Sequence, residues 1–252
     1  MAVDVDHLLQ RYKAMAAKRE NWLADWQDIA RLTTIDTQRI QRATTPGALP
    51  HDRFDSTGME ASGTFASNLQ WGLTNPAVDW ARVKFRKREI NEAPGVAEWV
   101  EAVSEEMLQA YLSSNFYLSA ESFYLNYGDF GTAAMYSEER QDLQQGVFYP
   151  GLAFRALYPG RYVIEENAQR RVDTLFREML LTPRQALQQF AEDRLPDRVR
   201  TMAKEPTSTD KPEVYLHCVY PRAEAMPGQL GAFQMPYVSC YIHAETKVCV
   251  RE

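Results

Sequence analysis

Residues 152–181 have the sequence LAFRALYPGRYVIEENAQRRVDTLFREMLL, and this stretch decides the fold class. Apolar and polar side chains alternate along it, which is typical of half-buried β-strands. Pro159 and Gly160 predict one turn, and residues 166–171 predict a second. We therefore expect successive antiparallel strands, with short connections, at 152–158, 162–165 and 172–181.

The strand pattern continues downstream with one helical interruption. Thr182 and Pro183 predict the start of a helix, and Gln185 stands at capping-box spacing from the threonine. A helical turn is expected around residues 199–202, and residues 205–212 predict a linker. Further strands are predicted at 214–220, 237–244 and 248–252, the last two joined by a turn at 245–247.

Upstream of residue 137, apolar residues recur three and four positions apart, which is typical of amphipathic helices. Thr57 and Glu60 have the capping-box spacing, and Ser119 is expected to cap the fourth helix. A short apolar run at 132–136 predicts a strand. The helices are predicted at 5–32, 57–75, 94–113 and 119–128, with a polar loop at 33–54.

These patterns predict an α+β protein, with a helical N-terminal half packed with an antiparallel β-rich C-terminal half. The expected division lies between residues 1–136 and residues 137–252. The length of 252 residues suffices for a proper core, and 45% hydrophobic with 25% charged residues excludes disorder as the main state. We expect a folded chain that needs no disulfide framework.

Charge and motif content exclude several classes of protein. The formal net charge of -6 argues against a surface that grips nucleic acid everywhere. No apolar run approaches the ~20 residues that cross a bilayer, and no basic secretion signal opens the chain. Three cysteines fit a reducing compartment. No phosphate-binding glycine loop or nucleophile elbow is present, so we predict no catalytic residue, no cofactor and no enzyme activity.

One group of residues has side chains of the types that bind metal ions. It comprises His217, Cys218, Cys240, His243 and Cys249. On β-strands, neighbouring side chains point to opposite faces, so His217 is expected to face away from Cys218, and Cys240 away from His243. Structural zinc sites show paired ligands at short loop spacing. We therefore predict no metal site.

The run from Arg82 to Arg88 is the main local concentration of positive charge. Ala81, Val83 and Phe85 alternate with basic residues, which predicts a half-buried strand with a basic outer face. The basic residues are Arg82, Lys84, Arg86, Lys87 and Arg88. Two interpretations stay open: contact with nucleic acid or an acidic partner, or a charged strand edge that prevents edge-to-edge pairing.

The first helix carries an apolar stripe that includes aromatic residues. Its members are Leu8, Tyr12, Met15, Trp22, Trp26 and Ile29, with Arg19 at the one missing step. The tryptophans are bulky for a two-stranded coiled coil and suit a domain surface or a subunit interface better. Packing within the chain is the alternative, since amphipathic helices usually pack internally.

Three stretches, taken in order, resemble the head-to-tail connecting (portal) proteins of short-tailed bacteriophages. Residues 54–85, FDSTGMEASGTFASNLQWGLTNPAVDWARVKF, are similar to that family's small-residue helix followed by a proline and a tryptophan-bearing strand. Residues 113–138, SSNFYLSAESFYLNYGDFGTAAMYSE, have its Ser-Asn, aromatic, helix and glycine pattern. Residues 154–182 resemble its successive strands that run into a helix.

The resemblance implies a structural subunit of a ring, typically of twelve copies, at one capsid vertex, through which double-stranded DNA is packaged and ejected. It identifies residues 1–136 as a mainly helical wing region and residues 137–252 as a β-rich wing region. Because the last predicted strand reaches the final residue, we expect a longer protein. The resemblance implies that the stem, clip and crown lie beyond residue 252.

The resemblance also implies partners and contact residues. The partners would be the terminase large subunit, the capsid protein, the scaffolding protein, tail adaptor proteins and further copies of the chain. A ring subunit needs two dissimilar contact surfaces. Candidates for these surfaces are Trp22, Trp26, Gly58, Ala61 and Gly63.

The implied location is the portal vertex of the virion, reached from the host cytoplasm during assembly, with no membrane contact. The alternative function is a capsid or tail adaptor protein that docks onto a portal. A third possibility, from another class, is a hydrolase with an unrecognised site.

Overall fold

The computed structural model describes residues 3–34, 55–139, 151–205, 211–223, 231 and 234–252. Most of the predicted loop at 33–54 and of the predicted linker at 205–212 therefore lies outside the described residues. The chain forms two compact units. The sheet unit comprises Met1–Ala24 and Gly160–Glu252, and the helical unit comprises Asp25–Pro159. The predicted division after residue 136 concerned regions of a larger assembly and stays a prediction.

The described residues form seven α-helices and seven β-strands. The helices are α1 Val5–Thr33, α2 Thr57–Leu73, α3 Arg88–Asn91, α4 Val96–Leu112, α5 Phe116–Phe130, α6 Pro183–Gln189 and α7 Asp197–Lys204. The strands are β1 Ala134–Glu139, β2 Leu152–Leu157, β3 Tyr162–Glu166, β4 Val172–Leu181, β5 Glu213–Pro221, β6 Tyr237–His243 and β7 Val248–Arg251. This order confirms the α+β class, with a largely helical first half and an antiparallel β-rich second half. In the part of the chain that is described, no helix is both long and apolar enough to cross a membrane.

Strands β3 to β7 form an antiparallel meander in chain order. Because strand side chains alternate between faces, Leu216 and Tyr215 enter different cores. On one face, Leu8 and Met15 of α1 pack in the cluster that contains Leu216. On the other face, residues of α6 and α7 pack in the cluster that contains Tyr215. The sheet is thus covered by helices on both faces.

Two arginines bind α1 to β3. Arg11 Nη2 donates to Glu165 Oε2 at 2.6 Å, and Arg19 Nη1 donates to the Tyr162 carbonyl oxygen at 2.8 Å. Each replaces water at a half-buried position with a charge-assisted hydrogen bond. Arg19 therefore interrupts the apolar stripe of α1 because its side chain forms a hydrogen bond with β3.

In the helical unit, α2 packs on α5, and α5 contacts the antiparallel hairpin of β1 and β2. Ala66, Ala120 and Tyr124 form the buried centre of this packing. A side chain at Gly128 would lie 2.6 Å from the Phe65 ring, so the missing Cβ is what allows α5 to approach α2. Ser62 Oγ donates to Asp129 Oδ1 at 2.6 Å across the same contact.

One predicted helix start is confirmed by its hydrogen bonds. The Gln185 amide donates to Thr182 Oγ1 at 3.3 Å, and the Thr182 amide donates to Gln185 Oε1 at 2.9 Å. The capping box at α6 is therefore complete.

The other predicted starts agree in part. Helices α1 and α2 begin at Val5 and Thr57, as predicted, whereas the starts predicted for α4 and α5 are wrong by two and three residues. Ser56, not Thr57, precedes α2, and no side-chain capping bond forms there. Helix α4 begins at Val96, after Pro94 and the left-handed Gly95, whose φ is 79°. Ser119 lies inside α5, where its hydroxyl donates to the Phe154 carbonyl oxygen of β2 at 2.9 Å. The local pattern predicted that this hydroxyl caps the helix, but it binds the carbonyl group of a strand that is distant in sequence.

The predicted strand at 81–86 is also wrong. The segment forms no strand and bends at Arg86, and it pairs with no strand among the residues described. The Val83 amide donates to Ser104 Oγ at 3.0 Å, and the Phe85 amide donates to Asn91 Oδ1 at 2.8 Å. Side chains of α4 and α3 thus satisfy amides that a neighbouring strand would otherwise bind.

Candidate partner-binding surface

The structure brings four of the five predicted basic residues together. Arg82, Lys84, Arg86 and Arg88 line a concave surface of about 480 Å³ in the helical unit, which we refer to as the basic cavity. Its remaining lining consists of Phe85, Asn91, Glu92, Ala97 and Val100. Lys87 is exposed and does not line it.

Hydrogen bonds to one asparagine hold the wall of the basic cavity. The Phe85 amide donates to Asn91 Oδ1, and Asn91 Nδ2 donates back to the Phe85 carbonyl oxygen, each at 2.8 Å. Asn91 Nδ2 also lies 3.2 Å from the Lys87 carbonyl oxygen. The Phe85 and Trp99 rings stack with centroids 6.0 Å apart. The backbone is therefore anchored while the basic side chains extend into solvent.

The basic cavity retains a net positive charge. Glu92 accepts from Arg88 Nε at 2.7 Å across an exposed ion pair. Within the described residues, Arg82, Lys84 and Arg86 form no ion pair. Guanidinium groups suit bidentate binding of carboxylate or phosphate oxygens. The arrangement can therefore bind an anionic surface.

Helix α4 also carries exposed negative charge, next to the side that faces the basic cavity. Ala97 and Val100 line the cavity, and Ser104 bonds the segment beside it. Helical periodicity places the acidic residues on a different side of the cylinder. Glu98, Glu101 and Glu105 are all exposed, and we refer to them as the acidic face of α4.

The predicted subunit-interface residues do not form one group. Trp22 is 59% exposed in the sheet unit. Trp26 is half-buried, and its ring meets Phe130 edge-on at 6.5 Å in the helical unit. Their assignment to an interface stays a prediction.

The three small residues of α2 differ in what surrounds them. A side chain at Gly58 would lie 2.8 Å from the Leu32 carbonyl oxygen, so this glycine allows the start of α2 to approach the end of α1. Ala61 is exposed, and nothing lies within 4 Å of a side chain placed at Gly63. Ala61 and Gly63 therefore leave room for a partner, whereas Gly58 serves packing within the chain.

The histidines and cysteines with the side-chain types of metal ligands contact other residues instead. Arg177 Nε donates to His217 Nδ1 at 2.9 Å, while His243 Nε2 lies 2.7 Å from Glu213 Oε2. Cys218 and Cys240 are cross-strand neighbours in the core beneath α1, on the face opposite His217. The described residues hold no group of histidine, cysteine and acidic side chains arranged for a metal ion.

Burial controls the protonation of this region. Burial first, and then the Arg177 and Arg251 charges, lower the pKa of His217 to about 3. The pKa of the Cys240 thiol is raised, first by its hydrogen bond with Cys218 and then by burial. The pKa of the Cys249 thiol is raised by its hydrogen bond with Cys240 and by burial. Neutral groups of this kind contribute to the core and are not reactive.

Sequence reasoning missed the residues that support the basic cavity. Asn91 and Ser104 belong to no recognisable sequence motif. Their roles depend on contacts with the segment at residues 83–85, which the sequence does not reveal. It also missed a cluster of rings beside α5, where Trp80 stacks on Phe116 at 5.6 Å and donates from Nε1 to Tyr117 Oη at 3.0 Å. The density of aromatic residues in 111–124 is the signal that could have indicated it.

Comparison with known proteins gives consistent matches. Residues 5–252 match the family model for the bacteriophage head to tail connecting protein. The chain is 28% identical over 236 residues to the probable portal protein of Bordetella phage BPP-1, covering 93% of this chain and 41% of that protein. It is 27% identical over 248 residues to the portal protein of Salmonella phage epsilon15, covering 95% of this chain and 42% of that protein. The chain thus spans about two fifths of the length of these relatives.

Proposed function

Since the chain belongs to the bacteriophage head to tail connecting protein family, we propose that it acts as a structural subunit of a phage portal. The resemblance inferred from residues 54–85, 113–138 and 154–182 is confirmed by that membership. The observation that carries the proposal is the match over residues 5–252, together with relatives from two phages that are named as portal proteins.

The proposal includes an assembly. Copies close side by side into a ring, expected to hold twelve subunits, at one vertex of the capsid, and double-stranded DNA passes through it. The terminase large subunit supplies the energy, so the ring itself has no catalytic activity. The capsid protein, scaffolding protein and tail adaptor proteins are the other partners. Subunits enter the virion from the host cytoplasm.

Within that ring, residues 1–136 and 137–252 are proposed to be parts of the wing, with stem, clip and crown beyond residue 252. The net charge of -6 supports a conduit, since each phosphate that a protein neutralises adds affinity that opposes sliding. The basic segment from Arg82 to Arg88 is proposed to contact DNA or an acidic partner. Trp22, Ala61 and Gly63 are proposed to contact neighbouring subunits.

Electron microscopy of the purified protein tests the proposal. We expect closed rings in projection and no turnover of ATP in the same preparation. A protein that stays monomeric under assembly conditions, or that hydrolyses ATP unaided, contradicts the proposal. A protein that binds only to preformed portal rings supports the adaptor alternative.

A further inference from the structure

We propose that the basic cavity binds a short acidic peptide of a partner protein, with an apolar side chain between its carboxylates. This contact rests on the proposed function, in which the segment from Arg82 to Arg88 meets DNA or an acidic partner. The lining of the cavity favours the acidic partner and defines the kind of peptide that fits.

Three cations of the basic cavity are available to carboxylates of another molecule. Arg82, Lys84 and Arg86 are exposed, and none of them forms an ion pair with another residue that the structure describes. The carboxylate of Glu92, which also lines the cavity, accepts from Arg88 Nε at 2.7 Å. The cavity therefore keeps an excess of positive charge and attracts a ligand with several carboxylates.

The basic cavity also has an apolar lining. Val100 lines it and is only 7% exposed, so this side chain lies deeper than the exposed basic groups. Ala97 and Phe85 line it as well, and the Phe85 ring stacks on Trp99. An apolar side chain that covers this lining removes apolar surface from water, which is favourable. The ligand that fits therefore carries an apolar side chain in addition to its carboxylates.

The backbone that carries the cations is fixed before a ligand arrives. Asn91 Oδ1 accepts from the Phe85 amide, and Asn91 Nδ2 donates to the carbonyl oxygens of Phe85 and Lys87. The Val83 amide donates to Ser104 Oγ at 3.0 Å. Preorganisation of this kind lowers the entropy cost of binding. Because the Asn91 amide is already used, charge and apolar contact are what the cavity offers to a ligand.

The surroundings of the basic cavity favour a peptide over a nucleic acid. A duplex carries continuous negative charge, about one unit per 1.7 Å of its axis. Glu92 lies among the cations, and the acidic face of α4 lies next to the lining residues of that helix. A peptide places its few carboxylates beside the cations alone, whereas a duplex brings phosphates to both. A phosphate backbone also has no apolar side chain for Val100 to contact.

Matched pairs of variants of the intact protein test this contact. Lys84→Gln removes a cation that lines the cavity, and Lys87→Gln removes an exposed cation of the same segment that does not line it. Ala97→Glu places a carboxylate in the cavity, and Ala102→Glu places one at an exposed position of α4 outside the lining. Because all four positions are exposed, circular dichroism should be unchanged in every variant.

Fluorescence anisotropy measures binding at about 50 mM salt, where exposed charges are weakly screened. The first probe is a labelled peptide with a central leucine between two pairs of acidic residues. The second is the same peptide with serine in place of leucine. A labelled short DNA duplex is the third probe.

We expect the leucine peptide to bind about 10-fold more tightly than the serine peptide, because leucine covers the apolar lining. Lys84→Gln should weaken binding of the leucine peptide by about 5-fold, through loss of one ion pair. Ala97→Glu should weaken it by about 10-fold, because the new carboxylate repels the peptide. Lys87→Gln and Ala102→Glu should each stay within about 2-fold of the unchanged protein.

No binding of either peptide at about 1 mM, equal binding of the two peptides, or equal effects within either pair of variants would overturn the proposed contact. Tighter binding of the duplex than of the leucine peptide, weakened by Ala97→Glu, would assign the cavity to nucleic acid. Self-association that Ala97→Glu weakens without peptide would assign it to a second copy. Rings that form without peptide binding would reject this contact and leave the portal proposal intact. Peptide binding by a protein that never forms rings would reject the portal proposal alone.

Discussion

The two units bury their apolar residues to very different extents. In the sheet unit, Phe176, Leu216 and Tyr215 are almost completely buried. In the helical unit, Trp71 is 68% exposed and Leu118 is 71% exposed. Large exposed apolar residues in a folded protein mark surfaces that bind other molecules. The sheet unit therefore has the properties of a self-sufficient scaffold, and the helical unit those of a contact-forming region.

Architecture explains this difference. A sheet covered by helices on both faces places every second strand residue in one of two cores, so large side chains are enclosed. The helical unit packs α2 on α5 through small residues such as Ala66 and Ala120. Small residues bring the backbones close but enclose little apolar area. Several large side chains of this unit, such as Trp71 and Leu118, remain exposed.

Matched leucine substitutions should give the largest contrast between the units. Leu216→Ala removes a buried side chain from the core beneath α1, and we expect it to lower the free energy of unfolding by about 2–5 kcal/mol. Leu118→Ala removes an exposed side chain and should change it by about 0.5 kcal/mol or less. Urea denaturation measures both. Equal effects would contradict the division into scaffold and contact region.

The second prediction concerns how the stability of the sheet unit depends on pH. The described residues of the helical unit contain no histidine. The pKa of His217 is lowered from 6.5 to about 3, first by burial. Below pH 6.5 the unfolded chain takes up a proton that the folded chain refuses, so stability is full above that pH and falls as the pH decreases towards 3. The slope should reach about 1.4 kcal/mol per pH unit.

Urea denaturation between pH 4 and pH 7 measures that slope. His217→Gln keeps an acceptor for Arg177 and a donor for Ser239 but does not titrate. Its stability should depend less on pH over this window. An unchanged slope in the variant would show that the pH dependence arises elsewhere.

Alanine substitutions at two glycines of α2 should affect stability differently, because one glycine packs within the chain and the other has open space beside it. Gly58→Ala forces a side chain to within 2.8 Å of the Leu32 carbonyl oxygen, and we expect a loss of about 1–3 kcal/mol. Gly63→Ala meets nothing within 4 Å and should stabilise the helix by about 0.5–1 kcal/mol. Thermal unfolding measures both. A loss at Gly63 in the isolated subunit would contradict the open space found at this position.

Much of the fold follows from local pattern. The predicted strand at 172–181 has the bounds observed for β4, and α6 begins with the capping box expected from Thr182 and Gln185. Side-chain alternation and capping depend on neighbours within a few residues, so the sequence displays them directly. The prediction of a strand at 81–86 was wrong because the alternation of side chains does not show whether a second strand lies beside the segment to pair with it.

The candidate site was only partly predictable for the same reason. The charge concentration at Arg82–Arg88 is evident in the sequence, but the basic cavity depends on Asn91 and Ser104, which bond the segment from two other helices.

The amino-acid sequence by itself determined the α+β class, nearly all the strands and helices, the local charge and the family. These properties arise from backbone periodicity and residue type, which act over a few positions. The tertiary structure alone decided which faces of the sheet are covered by helices, which glycine of α2 allows close packing within the chain, and where the basic residues converge. Those outcomes depend on contacts between residues far apart in sequence, and the chain establishes them when it packs.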